Sequence, residues 1–200
     1  MMKISIDGPK GSGKSTICES LRQKYDMRHE YISYKHVYTP EQYDSIINVY
    51  DDRPVNLQRD LIMERGILSS WIYTWSRDGV MKCEDWYKPN TLRDFTSVIE
   101  QFDVYTILYS SDHDLLRSRI SNRQASTGKG FHLGEIEAFD LTMSNRMFEC
   151  WGRIFSEDLG LNNVLLLDIA RPRDAQEYRE LIIDHGRSLG ADTVPFDPLG

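Results

Sequence analysis

The stretch Asp7-Gly8-Pro9-Lys10-Gly11-Ser12-Gly13-Lys14-Ser15-Thr16 constrains this chain more than any other. It meets the pattern G-x-x-x-x-G-K-[ST] at every fixed position, through Gly8, Gly13, Lys14 and Ser15. Its flanks agree with it. Lys3-Ile4-Ser5-Ile6 alternates and reads as a strand, and Ile17-Cys18-Glu19-Ser20-Leu21-Arg22 reads as a helix. A strand, a glycine-rich turn and a helix start together hold an anion. Glycines let backbone N–H groups turn inward, and the helix N-terminus adds partial positive charge. Gly8, Gly11, Ser12, Gly13, Lys14, Ser15 and Thr16 are therefore expected around a nucleotide triphosphate. Lys14 is expected to reach the β- and γ-phosphates, and Ser15 to offer its hydroxyl to Mg²⁺. The motif says nothing about what happens to the phosphate.

The rest of the composition narrows the class. Two hundred residues, 40% hydrophobic and 28% charged, suit one soluble domain with a sizeable core. A net charge of −7 weighs against a dedicated nucleic-acid surface. Cys18, Cys83 and Cys150 are far apart and form no C-x-x-C pair, so they read as reduced thiols rather than a disulfide framework or zinc site. The N-terminus turns polar by Asp7, too early for a signal-peptide core, and the apolar run Val164-Leu165-Leu166-Leu167 is far short of a membrane span. A cytoplasmic protein that does not engage a membrane is expected.

Along the chain, strand and helix signals alternate. Glu30 to His36 reads as a second strand, and Thr39-Pro40-Glu41-Gln42 as a helix start followed by Tyr43, Ile46, Ile47 and Tyr50 on one face. Asp60 to Gly66 reads as a short buried strand ending in charge. Leu68, Trp71, Ile72 and Trp75 space as a helix closing near Gly79, and Asn90 or Thr91 caps another with Leu92, Phe95, Ile99 and Phe102 inward. Val104 to Tyr109 is a strand. A helix opens at Ser111-Asp112-His113-Asp114 and fades at Ser126 to Gly130; a long one runs from about Glu135 to near Gly160. Val164 to Asp168 is the last strand, and Pro172-Arg173-Asp174 caps a final helix ending at Gly190. Residues 1–190 are read as one domain with a lid at about 124–135, and 191–200 as a tail. The alternation predicts an α/β fold, a parallel sheet with helices on both faces. Ligands then gather at the C-terminal ends of the strands.

Charged residues just after strands are accordingly the candidates. Glu64 could hold Mg²⁺ through water or take a proton, and Arg65 could clamp a phosphate with its two-pronged guanidinium. Asp168, at the end of a similar apolar strand, is the rival metal carboxylate. Arg119 and Arg123 lie one helical turn apart, after Arg117 and before Gly128-Lys129-Gly130, where a closing segment could carry cations to a transferring phosphoryl group. On the acceptor side the candidates are Asp7, His36, Arg65, Trp71 and Tyr73, with an aromatic ring available to stack on a base, although core packing is the commoner use of such rings. His36, His113, His132 and His185 are scattered without metal-ligand spacing, and no Cys–His pair is legible.

With these residues in place, the chain resembles the thymidylate kinase and deoxynucleoside kinase group of P-loop enzymes. Ile6 to Thr16 is close to the group's opening motif, and Glu64-Arg65-Gly66-Ile67-Leu68-Ser69-Ser70-Trp71-Ile72-Tyr73 to its acid-Arg segment. Phe102-Asp103 and the following strand are similar to its Pro-Asp strand, and Arg117, Arg119 and Arg123 to its lid arginines, with Glu135 and Glu137 where lid-proximal acids occur. Leu167-Asp168-Ile169-Ala170-Arg171-Pro172 resembles the loop that lies against adenine, which assigns Arg171 to the nucleotide. The correspondences span nearly the whole chain; only the first motif is specific alone. The resemblance implies a P-loop three-layer fold with a five-stranded parallel sheet, an arginine-bearing lid, ATP as donor, Mg²⁺, and a deoxynucleoside or its monophosphate as acceptor. A homodimer through helix faces is usual in the group. A compact, divergent form would suit a bacteriophage enzyme of DNA-precursor synthesis working in host cytoplasm.

The departures fall on the acceptor side. No Arg-Glu-Pro-Gly-Gly or Glu-Pro follows the second strand, where Lys35-His36-Val37-Tyr38-Thr39 stands, and Gly66 replaces a tyrosine or serine. The leading reading is ATP-dependent phosphorylation of a (deoxy)nucleoside monophosphate, with Lys14, Glu64, Arg65, Arg119 and Arg123 at the transfer. A deoxynucleoside kinase, using Glu64 or Asp7 as base, is the close alternative. A kinase acting on a hydroxymethylated base in DNA is a third, and a non-catalytic nucleotide-binding module a fourth. A GTPase switch lacks its Asn-Lys-x-Asp, and an AAA-type ATPase lacks a glutamate after Asp168, where Ile169 stands.

Overall fold

The computed structural model describes residues 1–31, 60–78, 91–127, 135–171 and 173–193. Five strands, β1 (Lys3–Asp7), β2 (Arg28–Tyr31), β3 (Leu61–Glu64), β4 (Val104–Tyr109) and β5 (Val164–Asp168), form one parallel sheet in the order β2-β3-β1-β4-β5. The α-helices among the described residues are α1 (Lys14–Tyr25), α2 (Ile67–Asp78), α3 (Thr91–Ile99), α4 (His113–Thr127), α5 (Glu135–Arg153) and α6 (Ala175–Ser188). This is the five-stranded parallel α/β fold expected above.

The strand sequences assign the two faces. Met2, Ile4, Ile6, Ile62, Val104 and Leu108 point to the side covered by α1 and α6, with Ile17, Cys18, Leu21, Ile182 and Ile183 opposite. Leu61, Met63, Tyr105, Ile107 and Val164 point the other way, into Leu68, Trp71, Ile72, Phe95, Phe148 and Phe155 of the second layer. The two-residue side-chain period of a strand makes this division automatic. Because both faces are covered, the strands read as near-continuous apolar runs.

The helix ends follow local chemistry. Asp112 accepts hydrogen bonds from the amides of Asp114 (3.0 Å) and Leu115 (3.3 Å) and caps α4. Asp174 and Glu177 form a capping box at the start of α6. The long helix α5 leaves α geometry at Arg153 and ends in a π turn, Ile154–Asp158, that keeps Phe155 in the core. One strand is displaced from expectation. Residues 30–36 read as the second strand, but β2 begins at Arg28, whose amide donates to Asp60 O (2.9 Å) after a left-handed turn at Asp26. Arg28-His29-Glu30 is polar and lacks the apolar run of the other strands, which hid the start of β2; residues 32–36 of the expected strand lie outside the described residues. The helix expected from Thr39 lies outside the described residues. Among the described residues no helix is long and apolar enough to cross a membrane.

Candidate functional site

Parallel pairing brings the C-terminal ends of β1, β3 and β4 to one edge, and the glycine-rich loop leaves β1 there. Gly8 (φ 150°), Gly11 (φ 80°) and Gly13 (φ 88°) take backbone conformations that side chains disfavour, which is why the loop needs glycine. Gly11 has a second reason. A Cβ there would stand 3.1 Å from both Ile120 Cγ1 and the Leu116 carbonyl, so α4 packs directly on the loop. That contact puts the helix bearing exposed Arg119 and Arg123 alongside the phosphate loop. Gly13 is the N-cap of α1, and its carbonyl accepts from the Thr16 and Ile17 amides (3.1 Å each).

Lys14 is buried. Its ammonium donates to Gly8 O (2.7 Å) and Pro9 O (2.8 Å). Burial lowers its pKa to about 8; Asp7 and Glu64 oppose that shift, and the Arg65 charge adds to it. One residue on, Ser15 Oγ donates to Glu64 Oε1 at 2.5 Å. Glu64 is 3% exposed, and its second oxygen, Oε2, lies 3.1 Å from His29 Nε2. The juxtaposition follows from register: Ile6 pairs with Glu64, so the end of β3 lies beside the loop that β1 feeds. Two adjacent oxygen donors at a phosphate loop suit a hard cation, so Ser15 and Glu64 fit Mg²⁺.

Asp168 is placed differently. It ends β5, beyond β4 from the loop, and accepts from the Ser111 and Ala170 amides (3.0 Å each). Partial burial pushes its carboxyl up, but the Ser111 and Ala170 hydrogen bonds outweigh this and hold it below the usual range. It secures two loop turns, and the nearer Glu64 is the acid in contact with Ser15. Arg171 follows in the turn after β5, where its carbonyl accepts from Tyr178 OH (3.2 Å).

The acceptor-side candidates Asp7, Trp71 and Tyr73 are all buried. Asp7 is fully buried and accepts from Ser69 Oγ, from the Ser69 amide (3.3 Å) and from Tyr105 OH (2.8 Å). Burial raises its pKa against the pull of those donors. Both oxygens are engaged, and Asp7 ties β1 to α2 and β4. Tyr73 is buried and donates to Gly8 O (3.0 Å), while Lys10 Nζ lies 5.9 Å from its ring centre. Trp71 is 1% exposed and packs edge-on against Phe95, so its ring is core in this structure, not a pocket wall. His36 lies outside the described residues. Arg65 adopts φ 71° at the end of β3, and its amide donates to Ile6 O (3.0 Å).

Gly66 now has its explanation. A Cβ there would fall 2.1 Å from Tyr105 OH and 2.6 Å from Asp7 Oδ2. The tyrosine or serine expected after the arginine has no room, because the Asp7, Ser69 and Tyr105 network fills the space.

Sequence reading passed over His29 altogether and saw no Cys–His pair. The structure brings Cys18 Sγ, His29 and Glu64 together, their ligand atoms all within 4.8 Å of one another. The signal lay in two spacings: Cys18 is one helical turn from both Lys14 and Ser15, and His29 shares a strand face with Tyr31, the partner of Glu64.

Among the comparisons with known proteins, the solved structures show the same fold. A family model described as RNA helicase matches residues 4–76, the stretch from β1 to α2 and well under half of the chain. No match to a curated protein sequence is found. Among solved structures, deoxyadenosine kinase from M. mycoides with bound dATP is 20% identical, with a TM-score of 0.53, covering 95% of this chain and all (100%) of that one. The YorR protein from Bacillus subtilis, in complex with phosphorylated GDP, is 16% identical with a TM-score of 0.60, covering 91% of this chain and 94% of that one. A gluconokinase from Sinorhizobium meliloti 1021 is 12% identical with a TM-score of 0.50, covering 94% and 93%. The chain shares the P-loop α/β fold of these proteins over nearly its whole length.

Proposed function

We propose that this chain is a P-loop kinase that transfers the γ-phosphoryl group of ATP, with Mg²⁺, to a (deoxy)nucleoside monophosphate. The observation that carries the reading is the 2.5 Å contact of Ser15 with Glu64, directly beside Lys14. It assembles a lysine, a hydroxyl and a carboxylate at the mouth of a glycine loop capping a helix. That set neutralises and orients a triphosphate.

The loop amides and the α1 N-terminus would hold the phosphates. Lys14, already held by the Gly8 and Pro9 carbonyls, would turn its charge to the β- and γ-oxygens. Ser15 and Glu64 would hold Mg²⁺, which would supply positive charge against that of the triphosphate. Arg65, at the end of β3, would clamp a phosphate on the acceptor side. Arg119 and Arg123, on the helix packed over Gly11, would add positive charge as the phosphoryl group moves. An acceptor phosphate is already nucleophilic, so these groups position and stabilise without a strong base.

The likeness to deoxyadenosine kinase, over 95% of this chain, supports a second reading in which the acceptor is a deoxynucleoside. A hydroxyl acceptor benefits from a base, and Glu64 is then the candidate, since Asp7 is fully engaged by Ser69 and Tyr105. The test is ADP release across the deoxynucleosides, their monophosphates, modified pyrimidines and duplex DNA. Acceptor-dependent turnover with a monophosphate is expected. Turnover confined to nucleosides selects the second reading, and none with any acceptor leaves a nucleotide-binding module.

A further inference from the structure

The Cys18, His29 and Glu64 cluster is not used by the proposed reaction beyond one oxygen of Glu64. We propose that these three residues form a site for a thiophilic divalent cation of the Zn²⁺ class, which opposes Mg²⁺ by occupying Glu64. The inhibitory half of the proposal rests on the kinase reading; the binding half does not.

The topology builds the cluster from three elements. His29 pairs with Ile62, and Tyr31 with Glu64, so His29 and Glu64 project from adjacent strands to one sheet face. That face is covered by α1, and Cys18 sits on the covered side of α1 among Ile17, Leu21 and Ile62. The three ligand atoms lie within 4.8 Å of one another. Glu64 Oε2 and His29 Nε2 are 3.1 Å apart, a separation that two ligands of one tetrahedral ion can keep. A sulfur, an imidazole nitrogen and a carboxylate oxygen are a poor set for Mg²⁺ and a good one for Zn²⁺. Three protein ligands leave the fourth position to water. The His29 side chain, 25% exposed, marks the way in.

On binding, Cys18 Sγ gives its proton to solvent and bonds the ion as thiolate, while His29 Nε2 and Glu64 Oε2 exchange their mutual contact for the metal. Glu64 Oε1 still faces Ser15. A cation on Oε2 cancels the charge that draws Mg²⁺ to Oε1 and repels a second dication beside it. Inhibition is therefore expected to be relieved by raising Mg²⁺.

The experiment uses the whole chain with Cys83→Ser and Cys150→Ser, which leaves Cys18 as the sole thiol. Co²⁺ is added without nucleotide, and the thiolate-to-cobalt charge-transfer band is followed; Zn²⁺ affinity is then measured by competition with a chromophoric chelator. The expected result is a saturable one-to-one band that Zn²⁺ abolishes. Cys18→Ser should lose the band and weaken Zn²⁺ by more than about 100-fold; His29→Gln should weaken it by at least about tenfold. Absence of the band, or its survival in Cys18→Ser, overturns the proposal. If Cys18→Ser fails to fold, unchanged Zn²⁺ affinity in folded His29→Gln overturns it instead. In turnover assays, Zn²⁺ should inhibit in competition with Mg²⁺, and Cys18→Ser should turn over with that sensitivity lost. A cobalt band in a protein that phosphorylates nothing supports the site and removes the kinase reading. Turnover without a band does the reverse.

Discussion

Glu64 and Asp168 end strands of nearly the same character, Leu61-Ile62-Met63-Glu64 and Val164-Leu165-Leu166-Leu167-Asp168. Their surroundings differ. Glu64 lies beside β1, buried, with one oxygen on Ser15 and the other on His29. Asp168 lies on the edge strand beyond β4, with one oxygen taken by two loop amides. Local sequence made both into candidates; strand order separates them. The same contrast runs through the whole site. The β1–β3 side is buried and multiply hydrogen-bonded, whereas Arg119 and Arg123 sit exposed on α4. The fold buries Lys14 and Glu64 and leaves Arg119 and Arg123 on the surface of a helix.

The comparison can be broken most severely at Lys14. Lys14→Ala is expected to lower turnover by about 100- to 1,000-fold while near-UV circular dichroism still reports a folded protein. Activity near wild type in that folded variant would remove the phosphate loop from the mechanism. Lys14 also makes a stability prediction. Its folded pKa is depressed from 10.5 to about 8, so above pH 8 the unfolded chain binds the extra proton. Wild-type stability relative to Lys14→Ala should therefore rise between pH 8 and 10.5, by up to about 3 kcal/mol, in urea titrations. A falling difference over that range would contradict the buried placement.

Glu64→Gln against Asp168→Asn tests the contrast directly. Glu64→Gln should reduce Mg²⁺-supported turnover by about 10- to 100-fold, with the Mg²⁺ midpoint moved upward. Asp168→Asn should leave both near wild type. The opposite ranking would transfer the metal role across β4.

Gly66→Ala probes the packing beneath the site. The added methyl meets Tyr105 OH and Asp7 Oδ2, so a loss of about 1–3 kcal/mol is expected in chemical denaturation. Tyr105→Phe removes one of the clashing oxygens, so the double variant should lose less than the two single losses combined. Simple additivity would place the strain elsewhere. The smallest stability effect belongs to the exposed arginines. Arg119→Ala or Arg123→Ala should change stability by no more than about 0.5 kcal/mol, and should lower kcat more than ATP affinity. A pure affinity loss would make them ground-state binders.

How much could be read in advance varied with burial. The strands Val104–Tyr109 and Val164–Asp168 were legible to the residue because strands covered on both faces are continuous apolar runs. β2 starts two residues before the expected strand because its Arg28-His29-Glu30 start is polar and gives no such run, and His29 there meets Glu64. Aromatic spacing put Trp71 and Tyr73 on a helix, which they occupy, but could not say whether their rings faced a ligand or a core. Their burial now assigns Trp71 to packing and Tyr73 to the Gly8 carbonyl. Asp7 was legible as a strand-end acid. Its three donors, contributed by residues 62 and 98 positions away, were not.

By itself the sequence determined the phosphate loop, the alternation that makes a parallel sheet, and the two strand-end acids. All three are set by contacts within a few residues, where propensity and spacing govern. Only the tertiary structure decided which acid meets Ser15, why Gly66 must be glycine, and that Cys18 and His29 come together with Glu64. Those depend on strand order and helix placement, which bring together residues far apart in the chain and which no local pattern encodes.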